Sequence, residues 1–255
     1  MAESPNEKNP ETGQNEELSV VEHLKELRTR LIHAIIAVFI GFLISYGFSE
    51  KIYWFIMDPL LKVMPPKNGN MVFLTLIEPF ITYIKVAVVS GLFLSSPIIF
   101  YEIWKFISPG LYPQEKKYVI PFVLFATLFF VGGAGFGYFL VFPYAFKFLI
   151  GFATANIVPS LSMEKYFAFA TKMLFAFGTI FELPVITFFL AKIGLIGKKT
   201  LVRARKYAII VIFITSAILT PPDVISQTMM AVPLILLYEI SVIIAKIFGK
   251  KPVAS

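Results

Sequence analysis

Six apolar segments bounded by charged residues run through the 255-residue chain, at about 31–49, 80–104, 118–143, 170–192, 206–220 and 224–246. A helix of roughly 20 residues crosses a hydrocarbon core of about 30 Å. Inside that core the backbone N–H and C=O groups must be satisfied internally, which favours helices. The pattern therefore predicts an all-α membrane protein, a bundle of six transmembrane helices occupying residues 18–249. The composition agrees, because 57% of the residues are hydrophobic and 15% charged, outside the balance of a water-soluble domain.

The segments differ in informative ways. The first is interrupted only by His33. The second carries Lys85 near its start, where a long side chain can snorkel to an interface, and Pro97 as a kink. The third has Pro121 and Pro143 near its ends and the small residues Gly132, Gly133, Ala134, Gly135 and Gly137 inside it, a cluster that permits close helix approach. The fifth is uncharged only from Tyr207 to Leu219 and stops at Thr220-Pro221-Pro222. Those 13 residues reach about 20 Å at 1.5 Å per residue, so the last two helices are expected to be short and the membrane locally thin.

Six crossings put both termini on one side. Of the basic residues near span ends, 15 fall on the terminal segments and even-numbered loops and 7 on the other face, so the positive-inside rule predicts cytoplasmic termini. The same clustering, between apolar runs, argues against a nucleic-acid partner for a chain of net charge +7. Residues 1–17 are polar and unlike a secretory leader. They read as a disordered tail, with 250–255 as a second short tail and the first apolar run as a retained span. The chain has no cysteine, so disulfides and thiolate metal sites are excluded.

Ahead of the first span, Ser19 and Glu22 have capping-box spacing for a helix start. Val20, Leu24, Leu27 and Leu31 then form one apolar stripe. Glu22 and Glu26 share the opposite face, with Arg30 one turn beyond Glu26 as a possible partner. This reads either as the solvated face of an amphipathic helix or as a dock for a basic peptide, since carboxylates accept guanidinium in bidentate geometry. The loop from Tyr101 to Lys117 is rich in aromatics, prolines and charge. Trp104, Phe106 and Tyr112 read as an interfacial belt, or else Pro109 and Pro113 stiffen a loop that holds Glu115 beside the first helix.

Glu182 has nine uncharged residues on each side, Met173 to Phe181 and Leu183 to Ala191. A carboxylate at mid-bilayer costs about 2.5–3.5 kcal/mol or more, so such a group is functional by default. The plainer alternative is a protonated, hydrogen-bonded packing residue. A third is the titrating group of a secondary transporter or proton pathway for a small solute. Asp223, in Leu219-Thr220-Pro221-Pro222-Asp223, reads as a cap of the sixth helix. Gln227 adds a polar group there, and Pro59, Pro221 and Pro222 join it as outer, structural positions. Metalloprotease, nucleophile-elbow and P-loop signatures are absent and only His23 and His33 could serve as bases, so neither enzyme activity nor a cofactor is expected.

His23-Leu24-x-Glu26-Leu27-Arg28-x-Arg30, the loop from Trp104 to Glu115, Phe181-Glu182-x-Pro184 and Leu219-Thr220-Pro221-Pro222-Asp223-x-x-Ser226-Gln227 together resemble the TatC family, in family order, over residues 19–246. The resemblance implies a receptor in the cytoplasmic (inner) membrane that recognises twin-arginine signal peptides of folded precursors. Glu26 and Glu115 would meet the arginine pair, with Phe106 nearby and Arg28 shaping the site. It also implies that Glu182 meets a polar residue of the single-span partners TatA and TatB, that copies self-associate in lipid, and that transport draws on the proton-motive force.

Overall fold

The computed structural model describes residues 10–64, 71–107, 119–152, 160–220 and 224–249. They form α1 (Pro10–Tyr46), α2 (Ser49–Leu61), β1 (Met71–Val72), α3 (Glu78–Ile107), α4 (Val119–Phe136), a π-helical turn (Gly137–Val141), α5 (Phe142–Ile150), β2 (Leu161–Ser162), α6 (Met163–Lys192), α7 (Lys198–Leu219) and α8 (Val224–Phe248). Five stretches are long and apolar enough to cross a membrane: Val21–Tyr46, Glu78–Ile107, Val119–Ile150, Met163–Lys192 and Gln227–Phe248.

Several expected boundaries move. α1 is already helical at Pro10 and runs through Ser19 and Glu22, so the capping-box spacing does not start it and residues 10–17 are not an irregular tail. Pro at a first helical position is pre-organised, and the Glu and Gln that follow are good helix formers. The expected fifth span is the apolar part of α7, a 22-residue helix whose beginning, Lys198 to Lys206, is too charged for a span. α8 is not short, because its 25 residues reach about 37 Å. α6 begins at Met163, where the Ser162 hydroxyl accepts from Lys165 N as an N-cap. It ends before Gly194, whose φ of 87° suits glycine and turns the chain toward α7.

α2 was not among the expected elements. Its buried residues Tyr53, Ile56, Met57 and Leu60 recur at the spacing of one helical face, and that face packs on α3 and α5. Pro59 lies inside it and is buried. Proline has no N–H to give to the carbonyl four residues earlier, which here is Phe55 O. Tyr138 in the π-turn donates its hydroxyl to that oxygen at 2.5 Å, while Tyr166 donates to Ile56 O at 2.7 Å. The structural expectation for Pro59 thus has a physical basis. The π-turn itself stands just ahead of Pro143, where a widened turn relieves the clash of a proline ring with the preceding turn.

The same end of the bundle holds the β1–β2 pair, parallel through Met71–Leu161 and Val72–Ser162. Buried Glu78 binds it together. Its Oε1 accepts from Ser162 Oγ at 2.6 Å and Glu164 N at 3.0 Å, and its Oε2 accepts from Leu74 N at 2.6 Å. Lys85, expected to snorkel, pairs with Glu164.

Two glycine contacts set the helix spacing. A Cβ on Gly41 would lie 2.6 Å from Gly91 O, and one on Gly91 would lie 2.6 Å from Phe42 N. α1 and α3 therefore touch backbone to backbone, and Ser95 Oγ donates to Ala37 O at 2.7 Å nearby. Between α4 and α6 the expected small-residue cluster is only half used. Gly133 and Gly137 meet Phe177 and Phe181, whereas nothing lies within 4 Å of a Cβ on Gly132 or Gly135.

Gly41→Leu is therefore expected to destabilise the protein by at least the about 1–3 kcal/mol of overpacking, and Gly132→Leu to be tolerated. Thermal unfolding of both variants in detergent tests this, and equal midpoints would refute the assigned α1–α3 contact.

Candidate functional site

α1 and α3 run antiparallel from the Gly41–Gly91 contact, and their polar residues meet where α1 is near its start and α3 near its end. Arg30 is central. Its Nη2 donates to Glu26 Oε1 at 3.1 Å and its Nη1 to Glu102 Oε2 at 3.3 Å. His33 Nδ1 stands 3.5 Å from the other oxygen of Glu102. One turn further out, the His23 ring stacks on Phe106 with centroids 4.4 Å apart and planes 22° apart. His23, Glu26, Arg30 and His33 recur at three- and four-residue spacing and so share one face of α1.

The carboxylates differ in depth. The Glu26 side chain is 28% exposed, Arg30 18% and Glu102 10%. Arg30 Nε is buried without a hydrogen-bond partner among the described residues. Beneath the cluster, Trp104 is buried in edge-to-face contact with Phe122 and Phe189. That tryptophan is thus part of the packing between α3, α4 and α6 and not of an interfacial belt.

The structure therefore pairs Glu26 with Arg30 and sets Phe106 against His23, three residues from Glu26 on α1. Arg28 is exposed on α1, two positions from Glu26 and so on another face, and has no ion pair among the described residues. Glu115 lies outside the described residues. Glu102 was missed by the sequence reading. The only signal for it was its position four residues before Phe106 on one helix, which puts both on one face.

Glu182 is buried in α6 at 7% exposure, and its Oε1 has no hydrogen-bond partner. The expectation of a hydrogen-bonded packing residue finds no partner for that oxygen among the described residues. At the far end of α7, Thr220 Oγ1 donates to Ser216 O at 2.8 Å and Gln227 Nε2 donates to Phe213 O at 3.0 Å. Gln227 thus ties α8 to α7, whereas Pro221, Pro222 and Asp223 lie outside the described residues. No cluster of three metal-ligating side chains occurs among the described residues.

These features define a polytopic α-helical membrane protein with an acidic and aromatic cluster at one end of its bundle and a lone carboxyl within it. The family model for the Sec-independent protein translocase protein TatC matches residues 22–233, and the chain belongs to the TatC family. That family is a component of protein translocation and not an enzyme family. The chain is 48% identical to the TatC protein of Desulforapulum autotrophicum over 93% of this chain and 88% of that one. It is 40% identical to the TatC protein of Aquifex aeolicus over 92% and 97%. A crystal structure described as the twin arginine translocase receptor TatC in DDM superposes with a TM-score of 0.79 at 41% identity, covering 88% of this chain and 99% of that one.

Arg30→Ala would strand the buried Glu102 without its cation. It is expected to cost about 1–3 kcal/mol, more than Arg28→Ala on the exposed face, and thermal unfolding of the two variants side by side distinguishes them.

Proposed function

We propose that this protein is the receptor that binds twin-arginine signal peptides of folded precursors and gathers the single-span partners TatA and TatB around itself. The observation that carries the reading is the cluster of Glu26, Glu102 and Phe106 at one mouth of the bundle. Charge-assisted bonds from a guanidinium to a carboxylate are among the strongest available to a side chain, and an aromatic ring beside the carboxylate offers a face on which the guanidinium can stack. Glu115 is the second proposed contact and Arg28 a flanking one.

The reading needs that mouth to face the cytoplasm. The basic start of α7, from Lys198 to Lys206, supports this through the positive-inside rule. With the apolar part of α7 as a sixth crossing, both termini lie on the cytoplasmic side of the inner membrane. That part is shorter than the bilayer, so it thins the membrane around it.

Glu182 is the proposed meeting point for a polar residue of TatA or TatB, supported by its burial and its unpartnered oxygen. Movement of cargo then draws on the proton-motive force, and copies of the receptor associate. A small-solute or proton pathway through Glu182 has the same oxygen in its favour, but membership of a protein-translocation family speaks against it.

Charge reversal at Glu26 and Glu115 together is expected to abolish photocrosslinking to a twin-arginine peptide while the protein stays inserted. Undiminished crosslinking would remove the receptor reading. Glu182→Ala is expected to lower co-purification of the single-span partners at least about tenfold, the scale of one buried charged contact, and full recovery of partners would remove Glu182 from the contact.

A further inference from the structure

The charge count of the α1–α3 cluster raises a problem for a guanidinium receptor. Arg30 already binds Glu26 at 3.1 Å, and a carboxylate closed in a pair with a resident arginine has little net attraction for a second one. Glu102 changes this. Glu26, Arg30 and Glu102 carry two negative charges and one positive, leaving a net charge of −1 on the described triad.

The geometry also divides the labour between the two carboxylates. Arg30 reaches them at 3.1 and 3.3 Å with different nitrogens, so neither is engaged in a bidentate pair. Among the described residues Glu26 is bonded only through Oε1, which leaves Oε2 for another donor, and it is the more exposed of the two. Glu102 is the deeper, and its remaining oxygen is backed by His33 Nδ1 at 3.5 Å. Arg30 Nε, buried and without a partner among the described residues, leaves the guanidinium a spare donor when its bond to Glu26 is given up.

Resting on the receptor reading above, we propose that Glu102 is a positioning residue for signal-peptide recognition: it holds the resident Arg30 as a deep counter-ion, so that Glu26 stays a net acceptor for an arriving arginine. Glu102 does not touch the cargo. It sets how strongly Arg30 competes with the cargo for Glu26.

The test uses the full chain in detergent and a fluorescent synthetic peptide carrying a consecutive arginine pair. Glu26→Gln is expected to weaken binding by more than about tenfold, the scale of one charge-assisted contact. Glu102→Gln, with Glu26 intact, is expected to weaken it about tenfold because Arg30 then closes on Glu26. The double variant Arg30→Gln with Glu102→Gln restores the net charge of −1 and is expected to recover most of the affinity, which a structural role for Glu102 would not produce. Loss at Glu26→Gln with none at Glu102→Gln would overturn this inference and leave the receptor reading standing. No loss at Glu26→Gln would remove the receptor reading itself. Equal loss in the single Glu102 and double variants would overturn the counter-ion role. If Glu102→Gln yields no folded protein, Glu102→Asp is measured in its place, where retained binding supports the role and a loss beyond tenfold overturns it.

Discussion

The close approach of α1 and α3 at Gly41 and Gly91 sets the geometry on which the candidate site depends. Lipid supplies no hydrophobic drive to bring helices together, so association rests on backbone proximity and on hydrogen bonds such as that from Ser95 to Ala37. The crossing also sets a register. Four residues along α1 from Gly41 stands Ala37, and four residues along α3 from Gly91 stands Ser95, its partner. Seven residues further along each helix Arg30 meets Glu102, and beyond them His23 on α1 stacks on Phe106 of α3. A slip of one residue would turn either helix by about 100° and take Arg30 away from Glu102. The glycines, 11 residues from Arg30 and from Glu102, thus decide which side chains form the site.

The two ends of the bundle treat their polar groups differently. At the end holding α2 and the β1–β2 pair, a freed carbonyl and a buried carboxylate are served from within the chain, although the buried Tyr53 hydroxyl and Thr82 Oγ1 have no hydrogen-bond partner among the described residues. The carbonyl freed by Pro59 takes the Tyr138 hydroxyl, and Glu78 collects three donors. Irregular backbone near a membrane persists only where it is satisfied in this way. The end with Glu26 is open by comparison. Among the described residues Oε2 of Glu26 has no bond and Arg30 Nε has no partner. A saturated network resists change, whereas one with spare donors and acceptors can exchange a partner at small cost, as the proposed receptor function requires.

Much of this was legible in the sequence where the relation was local. The Glu26–Arg30 pair lies within one helix, and the long apolar runs announced their helices. What escaped needed a partner from elsewhere in the chain. Glu102 meets Arg30 across 72 residues, a distance no periodicity reports. Likewise the glycines from Gly132 to Gly137 looked equivalent, yet only Gly133 and Gly137 face α6, and that choice belongs to the neighbouring helix. α2 was readable in principle from the spacing of Tyr53, Ile56, Met57 and Leu60, but Lys51, Asp58 and Pro59 broke the apolar run that draws attention to a span. The charged beginning of α7 had the opposite effect, because it hid the continuity of a helix of which only the apolar part was read.

Glu182 completes the contrast. Glu78 and Glu102 both satisfy their carboxylates from within the chain, the first with hydroxyl and amide donors and the second with Arg30. Glu182, at the centre of its span, has an oxygen that no described residue serves. An unmet polar group in a low-dielectric setting carries a cost of kilocalories, which a folded protein tolerates where some other molecule supplies the missing donor. On the proposed function that molecule is a partner helix. On that reading the bundle offers one polar site at its mouth to the cargo leader and another within the membrane to the partner. The first is reached from water and exchanges quickly. The second is reached only through lipid, so its occupant must itself be a membrane segment carrying a polar side chain at matching depth.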